Sequence, residues 1–331
     1  MKAVTYTRTG PARDVLELAE VERPEPEAGE VRVRIRVSAV NPTDVKTRSG
    51  ATPRPFRGIR IPHQDGVGEI DAVGDGVDEN RVGQRVWVWL ASPGGPGRPE
   101  ITEWGTAAEW TVVPESQAVP LPESASEELG ACLGVPGMTA YYCLFAGGSI
   151  AQSTVLVAGG AGAVGHFAVE LASWAGATVV ATVSGPEKAG QARKSGADQV
   201  VNYREPDAAD QIKTTAPAGI DRIVEVALTH NLALDLEVAA PGATIVTYAA
   251  GPEDPTIPVR SCMSKNLTLV FVLLYGVPRE ELRQAAVDLT VAASEGALTA
   301  LPVHRFPLED VAAAHEAVEA GVNGKVLVDV P

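Results

Sequence analysis

The first third of the chain alternates apolar and charged side chains over short distances. Val31–Val40 (VRVRIRVSAV) places an apolar residue at every second position for most of its length. A period of two predicts a strand with one buried and one exposed face. Gly66–Val73 and Arg85–Leu90 are predicted to be further strands, and the glycines and prolines of Ser92–Pro99 predict a loop. The chain therefore begins with a β-rich region.

From Thr154 onward the pattern changes to short apolar runs that alternate with amphipathic segments. The predicted strands are Val155–Ala158, Thr178–Val183, Gln199–Val201, Arg222–Val226 and Thr244–Tyr248, and the predicted helices are Val164–Ala175, Pro186–Ser195, Asp207–Thr214 and Leu232–Val238. This alternation predicts a parallel sheet covered on both faces.

The segments around this alternating region complete the pattern. Leu267–Leu274 (LTLVFVLL) is nearly all apolar and is a candidate sixth strand, which at a sheet edge could pair with its copy in a dimer. The other predicted helices are Ser126–Leu133, Thr139–Ala146, Arg279–Glu295 and Leu308–Ala320, and the last predicted strand is Lys325–Val330.

Size and charge restrict the class of protein. A chain of 331 residues with 45% hydrophobic residues suits two domains. A net charge of −15 disfavours nucleic acid and anionic membranes as partners. Three separated cysteines give no metal motif and no disulfide framework. Without an apolar signal core or a run of ~20 apolar residues, the expected location is the cytoplasm.

A glycine-rich turn follows the first strand of the alternating region. Val155–Gly165 reads VLVAGGAGAVG, in which Gly160, Gly162 and Gly165 satisfy G-x-G-x-x-G. Such glycines allow a tight turn, close approach of the backbone to a pyrophosphate, and close helix packing. With Ala161, Ala163 and Val164, they predict a dinucleotide site at the helix N-terminus.

The end of the second strand predicts which dinucleotide binds. An NAD site usually carries Asp or Glu there, whereas this strand ends at Ser184, with Lys188 one turn into the next helix. Tyr203 and Arg204 follow the third strand. The hydroxyl of Ser184, the ammonium of Lys188 and the phenol of Tyr203 suit a 2′-phosphate, which predicts NADPH rather than NADH.

Four separated segments, Val40–Gly50 (VNPTDVKTRSG), Pro62–Gly74 (PHQDGVGEIDAVG), the glycine turn and Gly324–Val328 (GKVLV), resemble the zinc-independent medium-chain reductases. These include zeta-crystallin-type quinone reductases and enone reductases. The resemblance implies a GroES-like β-rich catalytic domain, residues 1–122 and 275–331, split around a doubly wound Rossmann domain, residues 123–274. It also implies an active site in the cleft between the domains and a homodimer.

The resemblance argues against a metal. Zinc alcohol dehydrogenases of the same superfamily carry a ligand cysteine where this chain has Asn41 and a ligand histidine where it has Gln64. His63 is one position away, and Leu90–Pro99 has no cysteines where relatives bind structural zinc. Because zinc needs thiolate, imidazole or carboxylate ligands, no metal is expected. His63 is interpreted as structural.

Without zinc, hydrogen-bond donors or a cation must stabilise the charge that develops on the acceptor's oxygen. The resemblance implies that Asn41 donates through its amide. Lys46 would bind the nicotinamide ribose, stabilise an enolate or deliver a proton, unless it is only a solvated loop residue. Asp44 would fix the loop or orient Lys46 rather than act directly.

The resemblance implies further contacts. The expected cofactor contacts are Thr139, Thr247, Tyr248, Ala249, Phe271, Val272, Leu273, Asn323 and Lys325. Gln64 and Trp104 are candidates for the substrate pocket, although tryptophans more often pack in a core. The remaining histidines have no partner pattern and are interpreted as structural or surface residues.

The expected function is therefore NADPH-dependent reduction of a quinone or an α,β-unsaturated carbonyl compound. Two alternatives stay open. One is an NADPH-binding protein with little turnover, such as a sensor, a structural protein or a complex subunit. The other is a zinc alcohol dehydrogenase.

Overall fold

The computed structural model describes residues 1–52, 58–91, 101–251 and 253–331, so the predicted loop Ser92–Pro99 lies outside the described residues. The strands are β1 Lys2–Thr5, β2 Glu17–Glu20, β3 Glu30–Val40, β4 Ile59–Ile61, β5 Asp65–Val73, β6 Arg85–Val88, β7 Ile101–Trp104, β8 Trp110–Pro114, β9 Ala118–Pro120, β10 Thr154–Ala158, β11 Thr178–Val183, β12 Gln199–Asn202, β13 Ile220–Glu225, β14 Ala239–Thr247, β15 Thr268–Phe271, β16 Val303–Pro307 and β17 Lys325–Asp329. The helices are α1 Ala12–Val15, α2 Pro42–Ser49, α3 Glu127–Gly130, α4 Met138–Phe145, α5 Ala163–Trp174, α6 Pro186–Lys194, α7 Ala208–Thr215, α8 Leu228–Val238, α9 Val259–Ser264, α10 Arg279–Ser294 and α11 Val311–Glu319.

The described residues form two compact units. One unit contains residues 1–135 and 300–331, and the other contains residues 136–299. Residues 123–135 and 275–299 therefore lie in the opposite unit from the one that the sequence suggests. Contacts explain both differences: the Val135 N–H donates to the Asp65 carboxylate at 2.9 Å, and the Thr299 N–H donates to the Glu170 carboxylate at 3.0 Å.

The first unit, here called the catalytic unit, is built around a sheet of order β16-β17-β3-β5-β6-β9, with β8 also paired to β3. In β3, Arg34 and Arg36 are exposed while Arg32 is buried. Arg32 is accommodated in the interior because its guanidinium forms ion pairs with Glu25 and Asp71 at 2.7 and 2.8 Å. A buried charge needs such partners.

The second unit, here called the nucleotide unit, contains a six-stranded sheet of order β12-β11-β10-β13-β14-β15. All of its pairings are parallel, which confirms the predicted doubly wound sheet. The carboxyl ends of β10 and β13, where such sheets bind ligands, adjoin each other at its centre.

Several predicted elements differ in length from the observed ones. The run Leu267–Leu274 is a strand only over Thr268–Phe271, and Leu274 begins a short 3₁₀ turn with Gly276 at its end. The helix predicted from Ser126 contains only Glu127–Gly130, because Gly134 has non-helical backbone angles and Pro136 follows it. In the portion described, no helix combines the length and apolar character needed to cross a membrane.

Candidate active site and dinucleotide site

The glycine turn joins β10 to α5 in the nucleotide unit. Gly162 caps α5 without any side-chain hydrogen bond. The first intrahelical bond runs from the His166 N–H to the Gly162 carbonyl at 2.7 Å. The preceding N–H groups of Ala163, Val164 and Gly165 have no carbonyl four residues earlier within the helix. The turn therefore offers backbone donors and the positive end of the helix dipole to an anion.

Sterics require glycine at these positions. A Cβ atom on Gly165 would lie 2.2 Å from the Gly159 carbonyl oxygen, and one on Gly160 would lie 2.7 Å from the Ala181 Cβ. Gly162 is exposed, and its Cβ would be 3.3 Å from the Gly159 oxygen. Gly160 and Gly165 allow the strand and helix to pack closely, and Gly162 leaves the backbone open to a ligand. These residues fit a dinucleotide pyrophosphate.

The predicted 2′-phosphate contacts lie in the segments that follow β11 and β12. Ser184 directly follows β11, and the Tyr203 N–H donates to the Val183 carbonyl at 3.1 Å. Lys188 is exposed in the first turn of α6. Arg204, which was not among the predicted contacts, donates to the Ser184 carbonyl at 3.2 Å. Ser184, Tyr203 and Arg204 thus follow two neighbouring strands, and Lys188 lies in the helix that begins after the first of them.

The other predicted contacts of this unit follow β14 and β15. Thr247 ends β14, and the Val272 N–H donates to its carbonyl at 2.8 Å. Phe271 and Leu273 are each 68% exposed. Thr139 is buried in α4, and Tyr248, Ala249 and Val272 are half-buried.

A buried pair of acidic residues lies at the end of β13, and no motif in the sequence predicts it. Glu225 accepts hydrogen bonds from the Asn231 amide at 3.0 and 3.2 Å and from the Ala227 N–H. Asp235 of α8 hydrogen-bonds to Glu225. Burial, then the charge of Glu225, raises the pKa of Asp235 to about 9. Burial and mutual repulsion therefore make the pair retain a proton more strongly than two separate carboxyl groups would, in a hydrogen bond between Asp235 and Glu225.

In the catalytic unit, Asn41 lies at the centre of a buried ionic cluster. Its Nδ2 donates to Asp65 Oδ2 at 2.7 Å, and the Lys325 ammonium donates to its Oδ1. Lys325 is 3% exposed. Burial raises the pKa of Asp65 to about 6, although the Lys325 charge opposes this rise. One N–H of the Asn41 amide remains after the bond to Asp65.

Asp44 lies next to this cluster, in the first turn of α2. Its Oδ2 accepts from the Asn41 N–H at 2.7 Å, which caps the helix. Lys46 is exposed, and two residues along a helix point to different sides. The hypothesis that Asp44 orients Lys46 is not supported, since the hydrogen bond of Asp44 goes to the backbone of Asn41. Burial raises the pKa of Asp44 to about 7.

A small recess opens beside Asp44. It is lined by Tyr6, Asp44, Thr47, Ile61, Pro62, His63, Gln64, Ala91 and Glu103. Gln64, one of the two predicted pocket residues, thus shares a wall with Asp44. The other, Trp104, is 4% exposed and packs in the core of the unit. In β7 alternate side chains face opposite ways, so Glu103 lines the recess in place of Trp104.

His63 belongs to a chain of hydrogen bonds in which each donor and each acceptor can be assigned. Thr106 donates to the Asp65 carbonyl at 2.6 Å, so the Ser38 hydroxyl must donate to Thr106. His63 then donates from Nδ1 to Ser38, and His315 donates from Nε2 to His63 Nε2 at 2.9 Å. Both nitrogens of His63 are engaged, and burial lowers its pKa well below the ordinary value.

The zinc that the wider superfamily implies does not fit these residues. Asn41 is bonded to an ammonium, which would repel a cation, and the nitrogens of His63 are both occupied. Among the described residues, no group of three or more histidine, cysteine or acidic side chains could hold a metal. Asn323, predicted near the cofactor, is half-buried, and its carbonyl accepts from His304 at 2.9 Å.

Two family models match the chain. Residues 27–123 match the alcohol dehydrogenase GroES-like domain, which confirms the predicted GroES-like fold. Residues 163–292 match the model described as zinc-binding dehydrogenase. Both matches agree with the observed β-rich unit and parallel sheet.

Individual relatives match over nearly the full length. The chain is 31% identical to a human quinone oxidoreductase, covering 99% of this chain and 97% of the relative. It is 30% identical to an alcohol dehydrogenase of Geobacillus stearothermophilus, covering 95% and 96%. Among solved structures, an Escherichia coli quinone oxidoreductase complexed with NADPH is 25% identical, with a TM-score of 0.80 and 100% of both chains covered.

Proposed function

The chain belongs to the medium-chain dehydrogenase/reductase superfamily, and from that premise we propose that it is a zinc-independent, NADPH-dependent oxidoreductase. Its acceptor is a quinone or an α,β-unsaturated carbonyl compound. The observation that carries the proposal is the glycine turn at the N-terminus of α5, where a side chain on Gly160 or Gly165 would collide with its neighbours. Quinone oxidoreductases that align with nearly the full length of this chain also support the proposal.

The nucleotide unit supplies the residues that would hold the cofactor. The backbone of 160–165 would bind the pyrophosphate, and Ser184, Lys188, Tyr203 and Arg204 would bind the 2′-phosphate. We place the nicotinamide half near Thr139, Thr247–Ala249 and Phe271–Leu273. When bound, NADPH supplies the hydride.

The catalytic unit supplies the polar groups for the acceptor. Negative charge develops on the acceptor's oxygen as hydride reaches carbon, and fixed donors there lower the barrier. Asn41 has one amide N–H to donate, and its orientation is fixed from both ends by Asp65 and Lys325. Lys46 carries an exposed ammonium group that would act near the same oxygen or on the nicotinamide ribose.

The proposal that zinc has no role is based on the hydrogen-bond donors available to the acceptor. A quinone or enone is reduced when charge on oxygen is stabilised by hydrogen bonds, so a Lewis acid is unnecessary. The Lys325 amino group donates a hydrogen bond to Asn41, at the position where zinc-dependent relatives carry a ligand. We therefore assign Lys325 to the support of Asn41, in addition to the cofactor contact inferred from the resemblance.

Oxidation of NADPH at 340 nm, with one 1,4-quinone and one simple enone as acceptors, tests the proposal. We expect turnover with at least one acceptor and a lower rate with NADH. Quinone turnover alone identifies a quinone reductase, and enone turnover identifies an alkene reductase. No turnover with either acceptor, despite NADPH binding measured by fluorescence, would favour the alternative of a binding protein without catalysis.

A further inference from the structure

The recess beside Asp44 contains polar side chains that catalysis by Asn41 and Lys46 does not use. Asp44 is 6% exposed and Tyr6 is 4% exposed, yet both line the opening together with Gln64 and Glu103. One oxygen of Asp44 is bound to the Asn41 N–H. The Asp44 carboxyl group also interacts with the Asn41 side chain, and Asp44 is one of the residues that line the recess. Asp44 therefore connects the recess with Asn41.

We propose that Asp44 is the proton donor of the reaction, delivering its carboxyl proton to the reduced acceptor and recovering a proton from water in the recess. The inference rests on the proposed function and identifies which group completes the reduction. It assigns to Asp44 a role beyond fixing the loop.

The step balances in atoms and charge. Hydride from NADPH forms a C–H bond at the β-carbon of an enone, the C=C π electrons move toward oxygen, and an enolate results. The Asp44 O–H bond breaks as its proton forms a C–H bond at the α-carbon of the enolate, which yields the saturated carbonyl compound and leaves Asp44 as a carboxylate. A water proton then restores the acid. For a quinone, hydride transfer leaves a hydroquinone monoanion, and the Asp44 proton bonds to its remaining negatively charged oxygen to give the hydroquinone.

The charges around Asp44 suit a group that cycles between two protonation states. Asp65 of β5 raises the pKa of Asp44 and Lys325 of β17 lowers it, after burial as the largest cause. Across the recess, burial raises the pKa of Tyr6 to about 12, so Tyr6 stays protonated. Glu103 is paired with Arg60 at 3.3 Å. His63 is held neutral by burial.

The ammonium of Lys325 offsets the negative charge that remains on Asp44 after proton transfer. Asp65 carries a charge that favours keeping the proton. The two neighbours therefore oppose each other, and each can be removed by mutation.

The capping role of Asp44 can be separated from a catalytic role. Asp44→Asn keeps a side-chain oxygen that accepts from the Asn41 N–H but has no acidic proton. Asp78 provides a matched control, since its carboxylate caps a 3₁₀ turn by accepting from the Asn80 N–H at 2.9 Å. Asp78→Asn removes a capping carboxylate in the same unit and leaves the recess unchanged.

Titration of the cofactor-free protein gives a readout that is independent of activity. With ¹³C-labelled aspartate, we expect Asp44, Asp65 and Asp235 all to titrate above the ordinary carboxyl range. The resonance of Asp44 is the one near neutral pH that vanishes in Asp44→Asn. Its midpoint falls in Asp65→Asn and rises in Lys325→Met. A wild-type protein in which no such resonance titrates above about pH 5, where ordinary carboxyls are ionised, overturns the inference.

Enone reduction then tests the proton transfer itself. In the wild type, kcat declines as pH rises through the midpoint of Asp44, because the acid form is required. Asp44→Asn is expected to lower kcat by about 100-fold, the usual effect of losing a general acid, and to remove the pH dependence of kcat. Asp78→Asn is expected to leave kcat unchanged. Turnover of Asp44→Asn at the wild-type rate overturns this inference alone. A wild type that reduces no acceptor overturns the proposed function, and this inference with it.

Discussion

The proposed preference for NADPH is assigned to single residues that follow β11 and β12. Arg204 is bonded to the Ser184 carbonyl, and Lys188 is exposed one turn into α6. Both side chains can form charge-assisted hydrogen bonds to a 2′-phosphate, while NADH offers only hydroxyls at that position. The preference for NADPH should therefore depend on these two cations.

Lys188→Ala and Arg204→Ala are each expected to raise the Kd for NADPH about 10-fold, since a hydrogen bond to a charged group contributes ~1.5–3 kcal/mol. The Kd for NADH should remain unchanged, because it has no phosphate at this position. Fluorescence titration with both nucleotides measures the effect. Lys194→Ala, an exposed lysine in the last turn of α6, is the control. Equal losses for NADPH and NADH would contradict the assignment.

The sequence predicts the residues of the glycine turn because they lie within one local strand-turn-helix motif. Arg204 is harder to predict, because its contact with Ser184 depends on how β12 aligns with β11. Asp65 is harder still. Its partners Asn41 and Val135 are 24 and 70 residues away, and no local pattern brings three such segments together.

The junction of β13 and α8 shows how two elements share one proton. Asp235 projects from the helix toward Glu225 at the strand end, and both are fully or almost fully buried. The folded state keeps a proton that an unfolded Asp235, with a pKa of about 3.9, would release at neutral pH. Folding at this site is therefore linked to proton uptake.

The sign of this linkage predicts a pH dependence of stability. Because the pKa of Asp235 is raised to about 9, its contribution is complete below about pH 4 and is lost as pH rises toward 9. We expect Asp235→Asn to flatten this decline in the free energy of unfolding, measured by urea denaturation from pH 5 to 9. Glu237→Gln, at an exposed site of α8, is the control. An unchanged decline in Asp235→Asn would refute the shared proton.

At the level of elements, periodicity predicts interiors of strands and helices better than their ends. The helix predicted from Leu232 begins at Leu228, because its first turn is stabilised by Asn231, whose amide bonds to Glu225. The strand β7 lies next to a glycine- and proline-rich segment and is not among the predicted strands. Its pairing with β4 is a long-range contact that composition does not reveal.

In the whole molecule, the exposed edge of the parallel sheet is the surface that could pair with a second copy. β15 is the edge strand, and Phe271 and Leu273 at its end are each 68% exposed. Val259 and Met263 of α9 are each 63% exposed. Large exposed apolar side chains next to an unpaired strand edge are typical of an interface. A homodimer through β15 is therefore proposed.

Size-exclusion chromatography with light scattering tests the homodimer. The wild type is expected at twice the chain mass, and Phe271→Glu combined with Leu273→Glu at the mass of one chain, because two buried charges at such an interface would have no partners. Leu18→Glu, which changes an exposed leucine of the catalytic unit, should remain dimeric. A wild type of single-chain mass would contradict the proposed interface.

The arrangement of the catalytic unit depends on the two ends of the chain meeting. Lys325 lies 284 residues from Asn41 and bonds to it directly, because β17 pairs with β3 at the end from which Asn41 follows. The sequence predicts both residues as site residues on the strength of resemblance. Their mutual contact requires the closed topology of the sheet.

The central claim is a hydride transfer that needs NADPH and no zinc. The most direct test is the rate of NADPH oxidation, with the faster of the two acceptors, before and after dialysis against a strong chelator, with zinc quantified in the same sample. We predict an unchanged rate in protein that holds far less than one zinc per chain. A rate that is lost on dialysis and restored by added Zn²⁺ would contradict the account.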